Sequence, residues 1–230
     1  MTTISNALQA VRERIVRAAV RCGRAPASIA LLAVSKTFGP DLIRAAYAAG
    51  QRAFGESYSQ EALPKIAALL DLDLEWHFIG PLQSNKTKPI AEHFAWVHGV
   101  DRAKIAQRLS EQRPPNLPPL NICLQVNVSG EASKSGVEPA EIVALARAVA
   151  ALPRIKLRGL MAIPAPTEDA AQQRAAFRAV RELFEQLNAQ GIALDTLSMG
   201  MSNDLEAAIQ EGATIVRVGS AIFGERRNPI

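Results

Sequence analysis

Residues 30–36, ALLAVSK, are a short apolar run that ends in a polar turn, and this pattern recurs along the 230-residue chain. An apolar run bounded by turn residues and followed by helical periodicity predicts a buried β-strand that leads into a helix. Eight such strands are predicted, at 30–35, 52–54, 75–79, 95–98, 121–128, 157–161, 195–199 and 214–218.

Helical segments separate these strands. The segment 169–189 repeats apolar residues every three or four positions, which gives a helix one buried face. Asp101 is the predicted N-cap of one helix, and Ser202 or Asn203 is the predicted N-cap of another. The predicted helices span 3–21, 40–49, 57–70, 102–112, 139–151, 169–189 and 204–211.

Strands that alternate with helices imply parallel pairing through right-handed crossovers. Two architectures have this order, an open doubly wound sheet and a closed (β/α)8 barrel. The count of eight strands favours the barrel, and so does the absence of a GxGxxG motif after the first strand. We therefore predict one α/β domain over residues 1–230, a (β/α)8 TIM barrel with an extra N-terminal helix.

The composition excludes several functional classes. Hydrophobic residues make up 48% and charged residues 21% of the chain, which is globular and not disordered. The net charge of +4 without a block of like charges does not indicate a nucleic-acid partner. Cys22 and Cys123 lack the spacing of a zinc or redox motif, so no metal is expected. With neither a secretory signal nor an apolar run of about 18 residues, a cytoplasmic protein without membrane contact is expected.

Small residues follow the last two predicted strands. The chemistry of such barrels lies at the carboxyl ends of the strands, and the loops after strands seven and eight often bind phosphate. Gly200 and Ser202 follow the seventh strand, and Gly219 and Ser220 follow the eighth. Either pair alone is explained by turns and caps, but together they predict backbone N–H groups that approach an anion closely.

Lys36 follows the first strand directly. If it points into the barrel mouth, partial desolvation lowers the pKa of its amine, and a neutral amine forms Schiff bases with aldehydes. The alternative is a lysine whose ammonium extends to solvent. A reactive lysine that faces a phosphate cradle predicts a ligand with both an aldehyde and a phosphate. Pyridoxal 5′-phosphate (PLP) has both groups, and a sugar-phosphate substrate of an aldolase is the rival.

Arg217 lies within the strand sequence IVRVG. An arginine that faces inward could donate to a ring nitrogen, which would leave that nitrogen unprotonated, or could balance a buried anion. The alternative is a salt bridge to Glu56 or Glu225.

Other residues near the strand ends have weaker signals. A lone strand histidine such as His77 is more often a hydrogen-bonded core residue than an acid or base. Met161, Met199 and Met201 are expected to pack around the mouth. Lys134, in a Gly/Ser-rich loop, is either a second anion contact or a solvated lysine.

Long ordered motifs in the chain resemble those of the pyridoxal-phosphate homeostasis protein family, the YggS-type or proline-synthetase-associated proteins. The resemblance extends from about residue 3 to residue 226. It rests on the segments LLAVSKT, FGESYSQE, WHFIGPLQSNK, VNVSGEASKSG, GLMAI and LSMGMSNDLEAAIQEGATIVRVGSAIFGER.

The resemblance implies a (β/α)8 barrel like the N-terminal domain of alanine racemase, of fold-type III. It places the Schiff-base lysine at Lys36 and an arginine that faces the pyridine nitrogen at Arg217. The family usually has Asn at the position of Ser57, and Gly-Thr in the last loop. The candidate cofactor-binding residues are therefore Lys36, Ser57, Met161, Ser198, Met199, Gly200, Met201, Arg217, Gly219 and Ser220.

The resemblance also implies a carrier or regulator of vitamin B6 and of amino- and keto-acid pools, without robust turnover. In the alanine racemases a tyrosine from an added β-domain of the partner subunit supplies the second acid/base. This chain ends soon after its eighth strand, and its two tyrosines are Tyr47 and Tyr58. We expect a monomer that binds PLP and contacts PLP-dependent apo-enzymes at most transiently. The alternative is a low-activity fold-type III racemase or decarboxylase.

Overall fold

Eight parallel strands form a closed barrel in the computed structural model, which describes residues 3–129 and 135–225. Each strand pairs with its neighbours in sequence, and the first pairs with the last through Ala30 to Ala33. The predicted barrel is confirmed, and the open sheet is wrong. The strands are β1 (Ala30–Val34), β2 (Ala53–Glu56), β3 (Glu75–Phe78), β4 (Trp96–Val100), β5 (Leu120–Gln125), β6 (Ile155–Met161), β7 (Thr196–Ser198) and β8 (Ile215–Val218).

Helices surround the barrel. The predicted helices are present, although the one predicted over 139–151 begins with a 3-10 turn at Pro139–Glu141. Helix α4 in the series that follows was not predicted, and α9, after β8, was expected only as a short helical turn without stated bounds. The helices are α1 (Ile4–Arg21), α2 (Pro40–Ala48), α3 (Ser59–Ala68), α4 (Thr87–His93), α5 (Ala103–Gln112), α6 (Ile142–Ala150), α7 (Ala170–Ala189), α8 (Leu205–Gln210) and α9 (Ser220–Phe223).

The predicted N-caps of α5 and α8 are wrong. Arg102 occupies the cap position of α5, and the carboxylate of Asp101 accepts a hydrogen bond from the Arg102 guanidinium at 2.7 Å. Asp204, and neither Ser202 nor Asn203, precedes α8. A charge-assisted contact to a neighbouring arginine therefore replaces the expected cap at Asp101.

The hydrophobic core has two parts. The larger part lies between the barrel and the helices and contains outward-facing strand residues such as Phe54 and Val216. The smaller part fills the barrel interior, where strand alternation places every second side chain. Burial of each such large apolar side chain stabilises the fold by roughly 1.5–3 kcal/mol. The interior cluster consists of Leu32, Trp96, Cys123, Met161 and Ile215.

The extra N-terminal helix α1 packs against α8 and α9, next to the loops that follow β7 and β8. The Thr3 hydroxyl caps it by accepting from the Asn6 N–H at 3.2 Å. Arg14 donates to both carboxylate oxygens of Glu206 at 2.9 Å and to the main-chain oxygen of Ser202 at 2.9 Å. The first helix thus holds the loop that enters α8. No helix among residues 3–129 and 135–225 is long and apolar enough to span a bilayer.

Candidate functional site

A cavity of about 910 Å³ opens at the carboxyl ends of the strands. Chemistry in this fold is placed at that end. Six of the predicted site residues line it: Lys36, Ser57, Met201, Arg217, Gly219 and Ser220. The other described lining residues are Val34, Phe38, Ile79, Ile163, Pro164, Pro166, Thr167, Glu168, Gln173, Ser202, Asn203, Asp204 and Gly224.

The other predicted site residues lie behind the cavity wall. Met161 is buried in the barrel interior, and Met199 is buried between the barrel and the helices. The Ser198 hydroxyl points into the barrel, where it contacts His98. Of the three methionines expected around the mouth, only Met201 lies there, with 36% of its surface exposed.

Lys36 lies in a turn that is held on both sides. The main-chain oxygen of Ser35 accepts from the Lys65 ammonium at 3.0 Å. Thr37 has a left-handed backbone, with φ of 70°, and its N–H donates to the Glu61 carboxylate. A non-glycine residue in this conformation is uncommon and is kept by specific contacts. The backbone on either side of Lys36 is therefore fixed by α3.

Glu56 lies at the centre of these contacts and is fully buried. The Lys65 ammonium lies 3.0 and 3.2 Å from its two carboxylate oxygens, and the Ser35 hydroxyl donates to it at 2.6 Å. Burial raises the pKa of Glu56, and the charge of Lys65 opposes this shift. The alternative partner that the sequence suggested for Arg217 is thus paired with Lys65. The i, i+4 spacing of Glu61 and Lys65 on α3 was the sequence signal from which this polar cluster could have been found.

The loops after β7 and β8 approach closely and meet. Gly200 has φ of 93°, and a Cβ there would lie 2.5 Å from the Cβ of Ala208. The hydroxyls of Ser202 and Ser220 are 3.3 Å apart, so they join the two loops. In this arrangement the carboxylate of Asp204 accepts from the Met201 N–H, at 2.5 Å.

Arg217 forms part of the cavity floor and is only 3% exposed. Its Nη1 donates to the main-chain oxygen and the hydroxyl of Ser198 at 2.5 and 2.9 Å, and its Nη2 donates to Ala162 O at 2.9 Å. Burial lowers its pKa to about 10, while the charge of Asp204 acts in the opposite direction. The side chain is therefore cationic at neutral pH. Glu225, the other partner suggested by the sequence, is exposed beyond α9.

One wall of the cavity, formed by the loop between β6 and α7, was not predicted from the sequence. Residues 163–168, between β6 and α7, contribute Ile163, Thr167 and Glu168 to the cavity, and no motif marks them. Lys134 lies outside the described residues. Residues 3–129 and 135–225 contain no group of three or more His, Cys, Asp or Glu side chains placed to hold a metal ion.

The donor set fits a phosphorylated aldehyde. The amine of Lys36, the glycine loops and the Arg217 guanidinium line one cavity. An amine is the nucleophile for a carbonyl, close backbone approach suits a phosphate, and a cation at the floor suits a ring nitrogen acceptor.

Comparison with known proteins gives consistent matches. Residues 7–227 match the family model described as the N-terminal domain of alanine racemase. A pyridoxal phosphate homeostasis protein of Pseudomonas aeruginosa is 65% identical over 98% of this chain and 97% of its own length. A protein of the same name from Escherichia coli K12 is 54% identical over 98% of both chains.

Solved structures share the barrel. PipY of Synechococcus elongatus, solved with and without PLP bound, is 40% identical with a TM-score of 0.84, over 96% of this chain and 100% of PipY. Alanine racemase of Corynebacterium glutamicum, at 17% identity and a TM-score of 0.70, matches 97% of this chain and 63% of the racemase. That second likeness concerns the fold alone. The chain belongs to the pyridoxal phosphate homeostasis protein family.

Proposed function

We propose that this protein binds pyridoxal 5′-phosphate in the cavity at the barrel mouth and serves vitamin B6 and amino/keto-acid homeostasis without robust catalysis. The observation that carries the proposal is that Lys36, Arg217 and the Gly219–Ser220 loop line one cavity. PipY, at 40% identity over 96% of this chain, has been solved with PLP bound. The names of the P. aeruginosa and E. coli relatives point to the same role.

Each residue has a distinct part in this proposal. The Lys36 amine condenses with the cofactor aldehyde to a Schiff base and releases water. The loops that contain Gly200 and Gly219 offer backbone N–H groups to the phosphate. Arg217, which only donates hydrogen bonds, faces the pyridine nitrogen and leaves it unprotonated, so the ring is a weaker electron sink.

The composition of the cavity wall supports a carrier. Among the described residues that line the cavity there is no tyrosine or histidine to act as a second acid/base. Ile163, at 40% exposure, and Met201 leave the mouth open to water. Without a closed, dry site, preorganised electrostatic stabilisation is weak, whereas water and amines can enter to release the cofactor.

Reduction with borohydride after incubation with PLP tests the proposal directly. Mass spectrometry should find the reduced cofactor on the peptide that contains Lys36, and Lys36→Ala should remove it. The matched control is Lys88→Ala, at an exposed lysine of α4. A label on another lysine, or no label in the unchanged protein, would reject the assignment.

Two carboxylates on the cavity wall, Glu168 and Asp204, keep a second candidate open. Either could accept a proton from an amino acid, as a low-activity racemase or decarboxylase requires. Deuterium that enters the α-carbon of an amino acid at a Lys36-dependent rate would favour this candidate over the carrier. A colourless protein that cleaves a sugar phosphate would instead support the aldolase interpretation.

We also propose that the protein acts as a cytoplasmic monomer that meets PLP-dependent apo-enzymes transiently. The cavity needs no second subunit for the lysine, the glycine loops or the arginine, since all of them come from one chain.

A further inference from the structure

A chain of hydrogen bonds crosses the barrel interior from the cavity floor to the opposite rim. Nη1 of Arg217 lies 2.9 Å from Oγ of Ser198, which lies 2.7 Å from Nδ1 of His98. Nε2 of His98 lies 2.9 Å from Nδ1 of His77, and Nε2 of His77 lies 2.8 Å from Oε1 of Glu75. The first four residues are buried, and the Glu75 side chain is 52% exposed.

The Glu75 end sets the direction of the hydrogen bonds when both imidazoles are neutral. The Glu75 carboxylate only accepts, so His77 carries its proton on Nε2 and donates to it. Nδ1 of a neutral His77 then accepts from Nε2 of His98, and Nδ1 of a neutral His98 accepts from the Ser198 hydroxyl. At the other end, the guanidinium of Arg217 has no acceptor, so the Ser198 oxygen accepts from it and keeps its own hydrogen for His98. In this arrangement both imidazoles have the same tautomer.

An additional proton on either imidazole would break this order. If His98 were protonated on Nδ1, it would donate to the Ser198 oxygen, and the Ser198 hydroxyl would lose the acceptor that it has in the chain. Burial lowers the pKa of both imidazoles, and the charge of Arg217 lowers that of His98 further, while the hydrogen bond to Glu75 opposes the shift at His77. Electrostatics and hydrogen-bond geometry thus favour the same neutral state.

The surroundings hold the imidazoles in place. His77 stacks on Trp96, with ring centroids 5.3 Å apart and planes inclined by 5°. Beside Trp96, the guanidinium of Arg158 lies 4.6 Å from the centre of the Trp96 ring and pairs with Asp195 at 2.9 Å. In the interior, burial raises the pKa of the Cys123 thiol to about 12, so it stays uncharged. At the cavity end, Asp204 is the carboxylate that acts on Arg217.

We propose that His98 is a positioning residue for the cofactor site, supported by His77 and Glu75. The chain presents the Ser198 oxygen to Arg217 as an obligatory acceptor. Together with the Ser198 and Ala162 carbonyls, this acceptor fixes the plane of the guanidinium at the cavity floor. The inference rests on the proposed function only in that Arg217 faces the bound cofactor. Its first test needs no cofactor.

The first test is the tautomeric state of the imidazoles in the full-length, ¹⁵N-labelled protein without added ligand. Long-range ¹H–¹⁵N spectra distinguish the two neutral tautomers and the cation. His93→Gln, at an exposed residue that takes no part in this series of hydrogen bonds, identifies the signals of the third histidine. We expect His77 and His98 to be protonated on Nε2 alone between about pH 6 and pH 8, the range in which an ordinary histidine titrates. An Nδ1-protonated or cationic form of either residue would contradict the assigned order of hydrogen bonds.

The second test measures the effect on the cofactor. His98→Leu removes both hydrogen bonds of the imidazole, and we expect PLP to bind roughly tenfold more weakly, as for loss of a hydrogen bond to a charged group. The absorbance maximum of the bound cofactor and its pH profile should shift as well, while Lys36 remains the labelled lysine. Glu75→Gln, at a half-exposed residue, should shift the pH profile less and in the same direction.

Phe177→Leu is the control that separates a general loss of stability from a positioning effect. It loosens the packing of α7 and leaves the five hydrogen-bonded residues unchanged. This variant should lower stability and leave the absorbance of the bound cofactor unchanged. If His98→Leu and Glu75→Gln both bind PLP with the affinity and the spectrum of the unchanged protein, the positioning role is wrong. If the unchanged protein binds no PLP, the proposed function fails together with the link to the cofactor. The tautomer measurement would still decide whether the hydrogen bonds run in the assigned order.

Discussion

The ammonium of Lys65 lies 3.0 Å from the main-chain oxygen of Ser35, the residue that precedes Lys36. The same ammonium is ion-paired with Glu56, and the two side chains are 7% and 0% exposed. A buried ion pair is expensive to break, because the remaining charge loses both water and its partner. The candidate reactive lysine therefore follows a turn residue whose main-chain oxygen is bonded to a buried ion pair.

Replacement of Lys65 by Met should destabilise the fold by about 3–5 kcal/mol at neutral pH, since Glu56 becomes a buried charge without its partner. The free energy of unfolding in urea measures this loss. The loss should shrink as the pH falls, because burial raises the pKa of Glu56 and protonation removes the unpaired charge. Lys88→Met breaks an exposed pair with Glu92 and should cost less than about 1 kcal/mol. Equal losses in the two variants would contradict the prediction.

Replacement of Gly200 by Ala should disturb the loop after β7 for two reasons. A positive φ costs an L-residue about 1–2 kcal/mol, and the new methyl group would meet Ala208 at 2.5 Å. The second effect adds roughly 1–3 kcal/mol. Gly191→Ala is the control, because Gly191 has φ of 83° and nothing within 4 Å of the added Cβ. Denaturant unfolding should show a larger loss at Gly200, and a similar loss at both sites would exclude the steric contribution.

Replacement of Glu211 by Gln should make stability less dependent on pH. Burial would raise the pKa of Glu211, but hydrogen bonds from Arg178 and Arg174 outweigh this effect and leave the pKa below its ordinary value of 4.5. A lowered carboxyl pKa stabilises the fold above pH 4.5, and this contribution is lost as the pH falls through the folded-state pKa. Urea unfolding should therefore show Glu211→Gln less stable than the unchanged protein at pH 7, with the difference decreasing in acid. A difference that grows in acid would reverse the assigned sign.

Light scattering should give a mass close to 24.7 kDa for the purified protein, both with and without PLP. The expectation follows from a cavity whose proposed binding groups all belong to one chain. A stable dimer would contradict it.

The strands were predictable because they are buried apolar runs between turn residues, and their count of eight favoured the closed barrel. Helix α4 was missed, and α9 was expected only as a short helical turn, because seven and four residues give few repeats of a helical period. The cap predicted at Asp101 was wrong, because the guanidinium of the neighbouring Arg102 takes up the carboxylate. The extent of the domain, residues 1–230, stays a prediction.

The candidate site was predictable as far as it follows from strand ends. Lys36, Arg217 and the loop at Gly219 reach one cavity because consecutive parallel strands end on the same side. The hydrogen bond between His98 and Ser198 joins residues 100 positions apart, and strand alternation alone does not reveal which side chains meet inside the barrel. The same reason hid Lys65, whose partners became neighbours only when α3 packed against β1 and β2.

The grip of Arg14 on Ser202 and Glu206 links the beginning of the chain to the rim of the cavity. A shortened amino terminus that removes Arg14 would therefore act on the loop that enters α8, although the two lie far apart in the sequence. The choice of the first residue of a recombinant protein therefore also affects how well the loop at the barrel mouth is held in place.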